Sequence, residues 1–471
     1  MLNYIPRYFT GRAIFLYFIC LIAVSLIFYQ FAMNWTWFVF GIVEVISFFY
    51  FSNPISLSWS KLKPKTFEKR IFWYALIIRV IWVIFAYFFF TSQTGQPFEF
   101  SAADSKAYDG LAIDGARQFM EGNFNIPKIF PALSFSDYGY PTYLSFIYLL
   151  TGNSILVARL LKAVWSAWTC VLIYRLASRN FGDNVGKIAA VLCLLWPNFI
   201  YYTGLHLKET EMVFLVVLFI EQLDYLIRLP KFNFRYAILP ILIGATLFAF
   251  RTVLGAAALF ALFTTLLLSN SKDLKKGGKR FVLLIWAFIA VAFFLGGRIS
   301  TDLENTWNNR EENQMMSKIA KMEAKEGNKL SGNVSSIMFV PSIFIIPIPT
   351  MVDIKYQENQ QLIHGGNFIK DVLAFFFLVA VVILIKSKRW REYVLIEAFW
   401  VSYIAVIAVS AFAQSERFHQ PAMPFFMILA AYGIANVTNK TKKWFNWYLI
   451  ALFVIIIGWN WFKLAGRGLT G

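Results

Sequence analysis

Long apolar runs, most of them free of charge, recur along the whole of this 471-residue chain. Windows of about 17 to 23 such residues are long enough to cross about 30 Å of hydrocarbon as an α-helix. The chain is 59% hydrophobic and 15% charged, far from the balance of a soluble domain. The pattern therefore predicts an all-α, polytopic transmembrane bundle.

The windows predict about thirteen spans. They cover residues 14–33, 36–52, 71–91, 156–178, 185–203, 207–228, 235–250, 253–269, 281–297, 368–386, 393–413, 421–438 and 444–463. The first window is too long for a signal-peptide core and lacks a small-residue cleavage site, so we expect it to remain as a helix.

Basic residues are divided among short loops, although the net charge is +18. The groups are Lys61–Arg70, Arg175–Lys187, Arg228–Arg235, Lys272–Arg280, Lys386–Arg391 and Lys440–Lys443. An even number of predicted spans separates each group from the next, so the positive-inside tendency places all of them in the cytoplasm. This distribution indicates a multi-pass protein of the plasma (inner) membrane and argues against a nucleic-acid partner.

The remaining loops are then expected on the non-cytoplasmic side. They are 92–155, the turns near 204–206 and at Arg251, 298–367 and 414–420. An amphipathic stretch from Asp104 to Gly122 predicts an interfacial helix. The proline-interrupted run 337–349 predicts a re-entrant or surface-lying segment, and the charged stretch 302–326 a solvated helix or mobile loop.

These features divide the chain into four regions. They are an N-terminal hairpin with a basic linker (1–70), a transmembrane core (71–297) that includes the first external loop (92–155), an external region (298–367) and the C-terminal helices (368–471).

Asp104 is the strongest candidate for chemistry because it lies about a dozen residues past a predicted span. Tyr108 follows it by one helical turn. A carboxylate in this place can deprotonate an acceptor hydroxyl as a general base, or bind a divalent ion. The alternative is that Asp104 caps the helix that follows it.

Two further groups of charged residues lie at predicted span edges. Lys208 is a candidate phosphate ligand, with Glu209 either paired to it or directed to the acceptor; alternatively, Glu209 only complements the helix dipole. The apolar stretch 237–269 is too long for one crossing and predicts a hairpin with Arg251 at its tip. Arg251 either extends to the interface or binds an anionic head group.

In the last external loop, Glu416, Arg417 and His419 precede a span, and Arg417 and His419 suit a phosphate. His419 is also chemically able to ligate a metal, but the three histidines are far apart and the three cysteines lie in apolar windows. We therefore assign no metal ligand and expect no disulfide framework. Because the chain has no phosphate-binding glycine loop, we expect no nucleotide cofactor; a divalent ion at Asp104 stays an open alternative.

The order of these features resembles the integral-membrane glycosyltransferases of the C superfamily, which include protein O-mannosyltransferases and lipid A aminoarabinose transferases. The matching pieces are Asp104 to Tyr108 with Leu111-Ala112; Gly139 to Tyr143 with Leu149 to Gly152 and Ala158 to Leu160; Tyr174 to Gly182; Trp196 to Tyr202 with Lys208-Glu209; Gly244 to Thr252; and Glu416-Arg417 to Gly433. They lie within residues 71–270 and 393–440.

The resemblance implies a glycosyltransferase that moves a sugar from a polyprenyl-phosphate donor to a lipid, glycan or protein acceptor on the non-cytoplasmic face. It implies Asp104 as base or metal-binding acid, and by position it implies that Lys208, Arg251 and Arg417 meet the lipid phosphate. We also predict Glu209 as a catalytic residue. Substrate contacts are expected from Tyr108, Lys208, Arg251, Glu416, Arg417 and His419. Ser105 stands where the O-mannosyltransferases have a second acid, and the external region 298–367 is an insertion, so the acceptor stays undefined.

Two other functions also fit a many-span chain with one large external loop. One is a polymerase or ligase of lipid-linked oligosaccharides. The other is a flippase or transporter for them, which needs charged or broken helices near the membrane midplane. Charges within the predicted spans are few, mainly Glu44, Arg79, Glu221 and Asp224, and this favours a transferase.

Overall fold

The computed structural model describes residues 2–229, 234–269, 347–409, 415–467 and 469. Within these residues the regular elements are helices, and the β-structure is one isolated bridge between Ala32 and Val352. The all-α prediction is therefore confirmed. The predicted span 281–297, the charged stretch 302–326 and residues 337–346 of the proline-interrupted run lie outside the described residues.

The described helices largely follow the apolar windows. They are α1 (Arg7–Ile27), α2 (Trp35–Trp59), α3 (Pro64–Thr94), α4 (Ala103–Met120), α5 (Ile126–Ile129), α6 (Gly139–Thr151), α7 (Ile155–Phe181), α8 (Asp183–Leu195), α9 (Pro197–Thr203), α10 (Glu209–Arg228), α11 (Phe234–Phe250), α12 (Thr252–Leu268), α13 (Glu358–Leu362), α14 (His364–Lys386), α15 (Val394–Val409), α16 (Glu416–His419), α17 (Met423–Ala435) and α18 (Asn439–Ala465).

Six of the described helices are long and apolar enough to cross a membrane, or seven spans result if the bent pair α8–α9 counts as one. The six are α1, α2, α3, α7, α14 and α18. Shorter apolar helices include α11, α12 and α15. A membrane protein is thus supported, whereas the count of about thirteen spans is not confirmed.

The described parts of the predicted basic loops lie at one end of the bundle, here called the basic end, and Lys272–Arg280 falls outside the described residues. Arg175 of α7 binds Glu68 of α3 at 2.7 Å, and Arg179 binds Asp224 of α10 at 3.0 Å. The opposite end, called the α4 end, carries α4 to α6 and residues 204–208, 347–363 and 415–420. Asn359 joins parts of it, since it donates to the Phe100 carbonyl at 2.7 Å.

Exposed tryptophans mark both ends of α18. Trp444 is 68% exposed and Trp447 is 61% exposed near its start, and Trp461 is 52% exposed near its end. A helical rise of about 1.5 Å per residue separates Trp444 from Trp461 by about 26 Å. Tryptophan concentrates at membrane–water interfaces, so this spacing fits a helix that spans the hydrocarbon.

The predicted span 185–203 is broken rather than continuous. The axes of α8 and α9 differ by 51° at Trp196-Pro197. Because Pro197 has no N–H, the Cys193 carbonyl loses its helical donor. Arg79, fully buried near the middle of α3, donates to the carbonyls of Cys193 at 3.1 Å and Leu194 at 3.4 Å. This buried charge therefore stabilises a bend.

We expect Arg79→Met to lower the stability of the protein by about 2–4 kcal/mol, because it leaves buried carbonyls without donors. The measurement is thermal unfolding of the full chain in detergent. Arg117→Met is the control, since Arg117 is 62% exposed in its 3.5 Å ion pair with Asp114. Equal melting temperatures for Arg79→Met and the wild type would refute this role for Arg79.

Candidate functional site

Asp104 lies in the first turn of α4 but does not cap it. The N-cap residue is Ala102, and no side chain accepts a capping hydrogen bond there. Ser105, next in the chain, is buried and donates to Glu99 at 2.6 Å, which fixes this turn of α4. The Asp104 side chain is 57% exposed. The capping alternative is therefore wrong, and the carboxylate points to the edge of the bundle.

Arg417 connects the two predicted catalytic carboxylates. Its Nη1 donates to Asp104 Oδ2, 313 residues away in sequence, and its Nε donates to Glu209 Oε1. The Arg417 side chain is 18% exposed, and that of Glu209 is fully buried. One guanidinium thus links an exposed carboxylate on α4 to a buried one at the start of α10.

Lys208 does not pair with Glu209. Its ammonium group contacts Asp137 Oδ1 at 2.7 Å and the Phe250 carbonyl at 2.9 Å. The Lys208 side chain is 3% exposed. A Cβ at Gly139 would lie 2.9 Å from the carbonyl of Ala249, so glycine permits this close approach of α6 to the end of α11. Lys208 therefore ties α11 to the loop before α6.

Arg251 occupies the predicted hairpin tip, between the end of α11 and the start of α12. Its guanidinium carbon lies 4.6 Å from the centre of the Phe418 ring, and that of Arg417 lies 5.7 Å from the same ring. Tyr403 also forms a hydrogen bond with Arg251. Its direct described contacts are thus with uncharged groups, which leaves its charge available to an anion.

The other predicted substrate residues are more enclosed. Glu416 is 7% exposed and accepts a hydrogen bond from the Tyr202 hydroxyl at 3.1 Å, and His419 is 2% exposed. Tyr108 is half-buried, with its ring 5.0 Å from that of Tyr140. The structure therefore brings Asp104, Glu209, Arg417 and Arg251 together and places Glu416 and His419 behind them.

Burial and neighbouring charges set the protonation of these groups. Burial would lower the pKa of Arg417, but the carboxylates of Glu209 and Asp104 raise it above its ordinary value. Burial, together with the charge of Glu209, raises the pKa of Tyr108, so the phenol keeps its proton. Burial also raises the pKa of Glu416. The site therefore holds a permanently charged guanidinium.

Sequence reasoning missed two buried cations in α7. Lys162 is fully buried, donates to the carbonyls of Leu205 at 2.6 Å and of Leu207, and so shapes the loop before α10. Arg159, also fully buried, donates to the Pro97 carbonyl in the loop before α4. The sequence did contain a signal for them, because two cations three residues apart within an apolar window are costly unless they have a structural or functional role.

A small cavity of about 10 Å³ lies behind Glu209. Its lining includes Tyr202, Glu209, Thr210 and Gln420. Glu209 Oε2, Thr210 Oγ1 and Gln420 Oε1 have no hydrogen-bond partner in the described part of the chain. A cavity of this size holds at most one water molecule.

The side chains near Asp104 determine whether the protein itself can hold a metal ion there. Within the described ranges, no group of three or more His, Cys, Asp or Glu side chains converges to hold a metal ion. The nearest group to the Asp104 carboxylate is the Arg417 guanidinium, a cation. This donor set fits an ion pair rather than a protein-made metal site.

We expect Arg417→Ala to destabilise the protein because the buried Glu209 carboxylate loses its cation. Adding Glu209→Gln should recover about 2 kcal/mol, measured by thermal unfolding in detergent. The matched control is Arg417→Ala with Asp104→Asn, which should recover little, since Asp104 is largely exposed. Equal recovery in both double variants would contradict the assigned geometry.

Comparison with known proteins assigns no family to this chain. No protein-family model and no curated protein sequence matches it. The resemblance to the C-superfamily glycosyltransferases therefore depends on the order and placement of its motifs, and the function is inferred from the site.

Proposed function

We propose that this protein is a membrane-embedded glycosyltransferase that moves a sugar from a polyprenyl-phosphate donor to a lipid, glycan or protein acceptor. The supporting observation is the arrangement in which Arg417 binds both Asp104 and Glu209. In this arrangement the candidate base, Asp104, lies beside the candidate phosphate ligand, Arg417, which comes from a distant part of the sequence. Both lie at the α4 end, which we propose faces the non-cytoplasmic side because the basic loops lie opposite.

The proposed reaction has one base and two cations. Asp104 takes the proton of an acceptor hydroxyl while that oxygen forms a bond to the anomeric carbon of the sugar. The bond from this carbon to the phosphate oxygen breaks, and its electron pair leaves with the polyprenyl phosphate. Arg251 and Arg417 stabilise the negative charge that develops on the leaving phosphate.

Donor binding and base activation are coupled in this proposal. Without a donor, Arg417 is shared between Asp104 and Glu209. A phosphate that enters the site competes for the guanidinium with Asp104, because Asp104 is the exposed partner whereas Glu209 is enclosed. The displaced Asp104 carboxylate then becomes free to accept a proton. Glu209 meanwhile keeps the guanidinium in place, as a positioning residue.

The roles of two other residues change relative to the sequence prediction. Lys208 is enclosed and paired with Asp137, so we assign it to fixing the α11–α12 hairpin rather than to phosphate binding. Glu416 lies behind Arg417 and holds Tyr202, so we assign it to supporting the site. Arg251 then becomes the cation most available to the donor.

We expect Asp104→Asn to abolish sugar transfer because the amide cannot accept the acceptor proton. The measurement is mass spectrometry of membrane glycolipids and envelope glycans from cells that lack the gene and carry the wild type or a variant. Asp114→Asn, on the exposed face of the same helix, is the control and should restore the product. Product formed by Asp104→Asn at the wild-type level would exclude Asp104 as the base.

The same Asp104→Asn variant should bind a polyprenyl phosphate at least as tightly as the wild type, because the amide no longer competes for Arg417. Arg251→Gln should weaken this binding about tenfold, the loss of one charge-assisted hydrogen bond. Titration of the purified full chain measures both affinities, and Lys128→Gln, an exposed cation at the same end, is the control. Unchanged affinity in Arg251→Gln would remove Arg251 from the donor site.

A further inference from the structure

A long groove runs between α1 and α18, in the half of the bundle nearer the basic end. Its volume is about 640 Å³, and its walls include Phe15 and Ile19 of α1 and Ile450 and Phe453 of α18. Arg12 and Asn446 form its end toward the helix starts. These residues recur at helical spacing, so each helix presents one continuous face to the groove.

The end of the groove at Arg12 carries an excess of positive charge. Arg12 lies over the Tyr8 ring, with its guanidinium carbon 4.2 Å from the ring centre, and it donates to the side-chain oxygen of Asn446. Both partners are uncharged. Lys442 also lies near this point, 5.5 Å from the centre of the Tyr8 ring. The exposed side chains of Arg7, Lys440 and Lys443 add further positive charge at the same end.

Acidic residues are missing from the sequence around this groove. Neither residues 1–43 nor residues 417–471 contain an aspartate or a glutamate. Neither α1 nor α18 can therefore supply a carboxylate that neutralises Arg12, and its hydrogen bond to Asn446 uses one of its five guanidinium N–H groups. An anion that balances the charge of Arg12 therefore has to come from outside these two helices.

The polar end of the groove lies at the level expected for a membrane–water interface. Trp444 and Trp447, both exposed, lie beside Asn446 on the first turns of α18. Such tryptophans lie at the level of lipid head groups. Below this level the groove walls are apolar for about 10 Å, the length of seven helical residues. An occupant therefore has an anionic group beside Arg12 and a hydrocarbon chain beneath it.

We propose that this groove is a binding site for an anionic phospholipid, with its phosphate on Arg12 and one acyl chain along Phe15, Ile19 and Ile450. A basic pocket between membrane helices recognises lipid head groups in this way. The site lies at the end of the bundle opposite Asp104, so it is separate from the proposed donor site. A lipid without net charge fills the apolar part of the groove but gains less from the basic end.

The test compares phosphatidylglycerol with phosphatidylcholine of the same acyl chains, added to the full chain in a neutral detergent and counted by native mass spectrometry. One cation near a lipid surface contributes about a fivefold preference. We expect phosphatidylglycerol to bind at least about fivefold more tightly, and Arg12→Gln to remove most of this preference. Arg12→Lys should retain part of it. Ile450→Trp, which fills the groove, should weaken the binding of both lipids.

The control is Lys65→Gln, an exposed cation at the basic end but on the start of α3. It should leave the preference unchanged. Equal binding of the two lipids by the wild type would overturn the proposal. So would a preference that Lys65→Gln reduces as much as Arg12→Gln does, because the recognition would then come from the general charge of this end.

Discussion

The shared ion pair of Arg417 is the interaction on which the α4 end depends. A carboxylate such as Glu209, fully enclosed at the start of a helix, requires a cation close by. Arg417 supplies it from the short helix α16 and also holds Asp104 of α4. Other polar contacts also join segments of this end, such as Tyr202 with Glu416 and Lys208 with Asp137. Arg417 differs from them because its guanidinium fork fixes the direction of two carboxylates, one on α4 and one on α10.

The sequence predicted those parts of the fold that follow from length and charge. Apolar windows predicted helices such as α3, α7 and α14, and the even number of spans between basic loops predicted that the described ones lie at one end of the bundle. The break at Pro197 was not predicted, because a proline within a membrane window is compatible with either a kink or an end. The stabilising partner, Arg79, lies more than 100 residues away, and such a pairing cannot be derived from local pattern.

The sequence indicated which residues belong to the candidate site, but not which of them contact each other. Asp104, Arg251 and Arg417 were identified from their positions in predicted external loops and turns, and Glu209 because charge at a membrane boundary is costly. Which cation meets which carboxylate depends on the tertiary structure. One of the two alternatives paired Lys208 with Glu209, whereas Lys208 contacts Asp137. The supporting role of Lys162 was hidden for the same reason, because it contacts the carbonyls of Leu205 and Leu207, which have no signature in a sequence, and the carboxylate of Glu211 on another helix.

The contact between α1 and α18 has a consequence for biosynthesis. The Phe9 ring of α1 lies 5.0 Å from the Phe445 ring of α18, and Tyr8 donates to Asn446 at 3.0 Å. The ribosome adds Asn446, in α18, 438 residues after Tyr8 of α1. This face of α1 therefore has no α18 to pack against while the intervening polypeptide is synthesised, and the contact forms only after α18 has entered the bilayer.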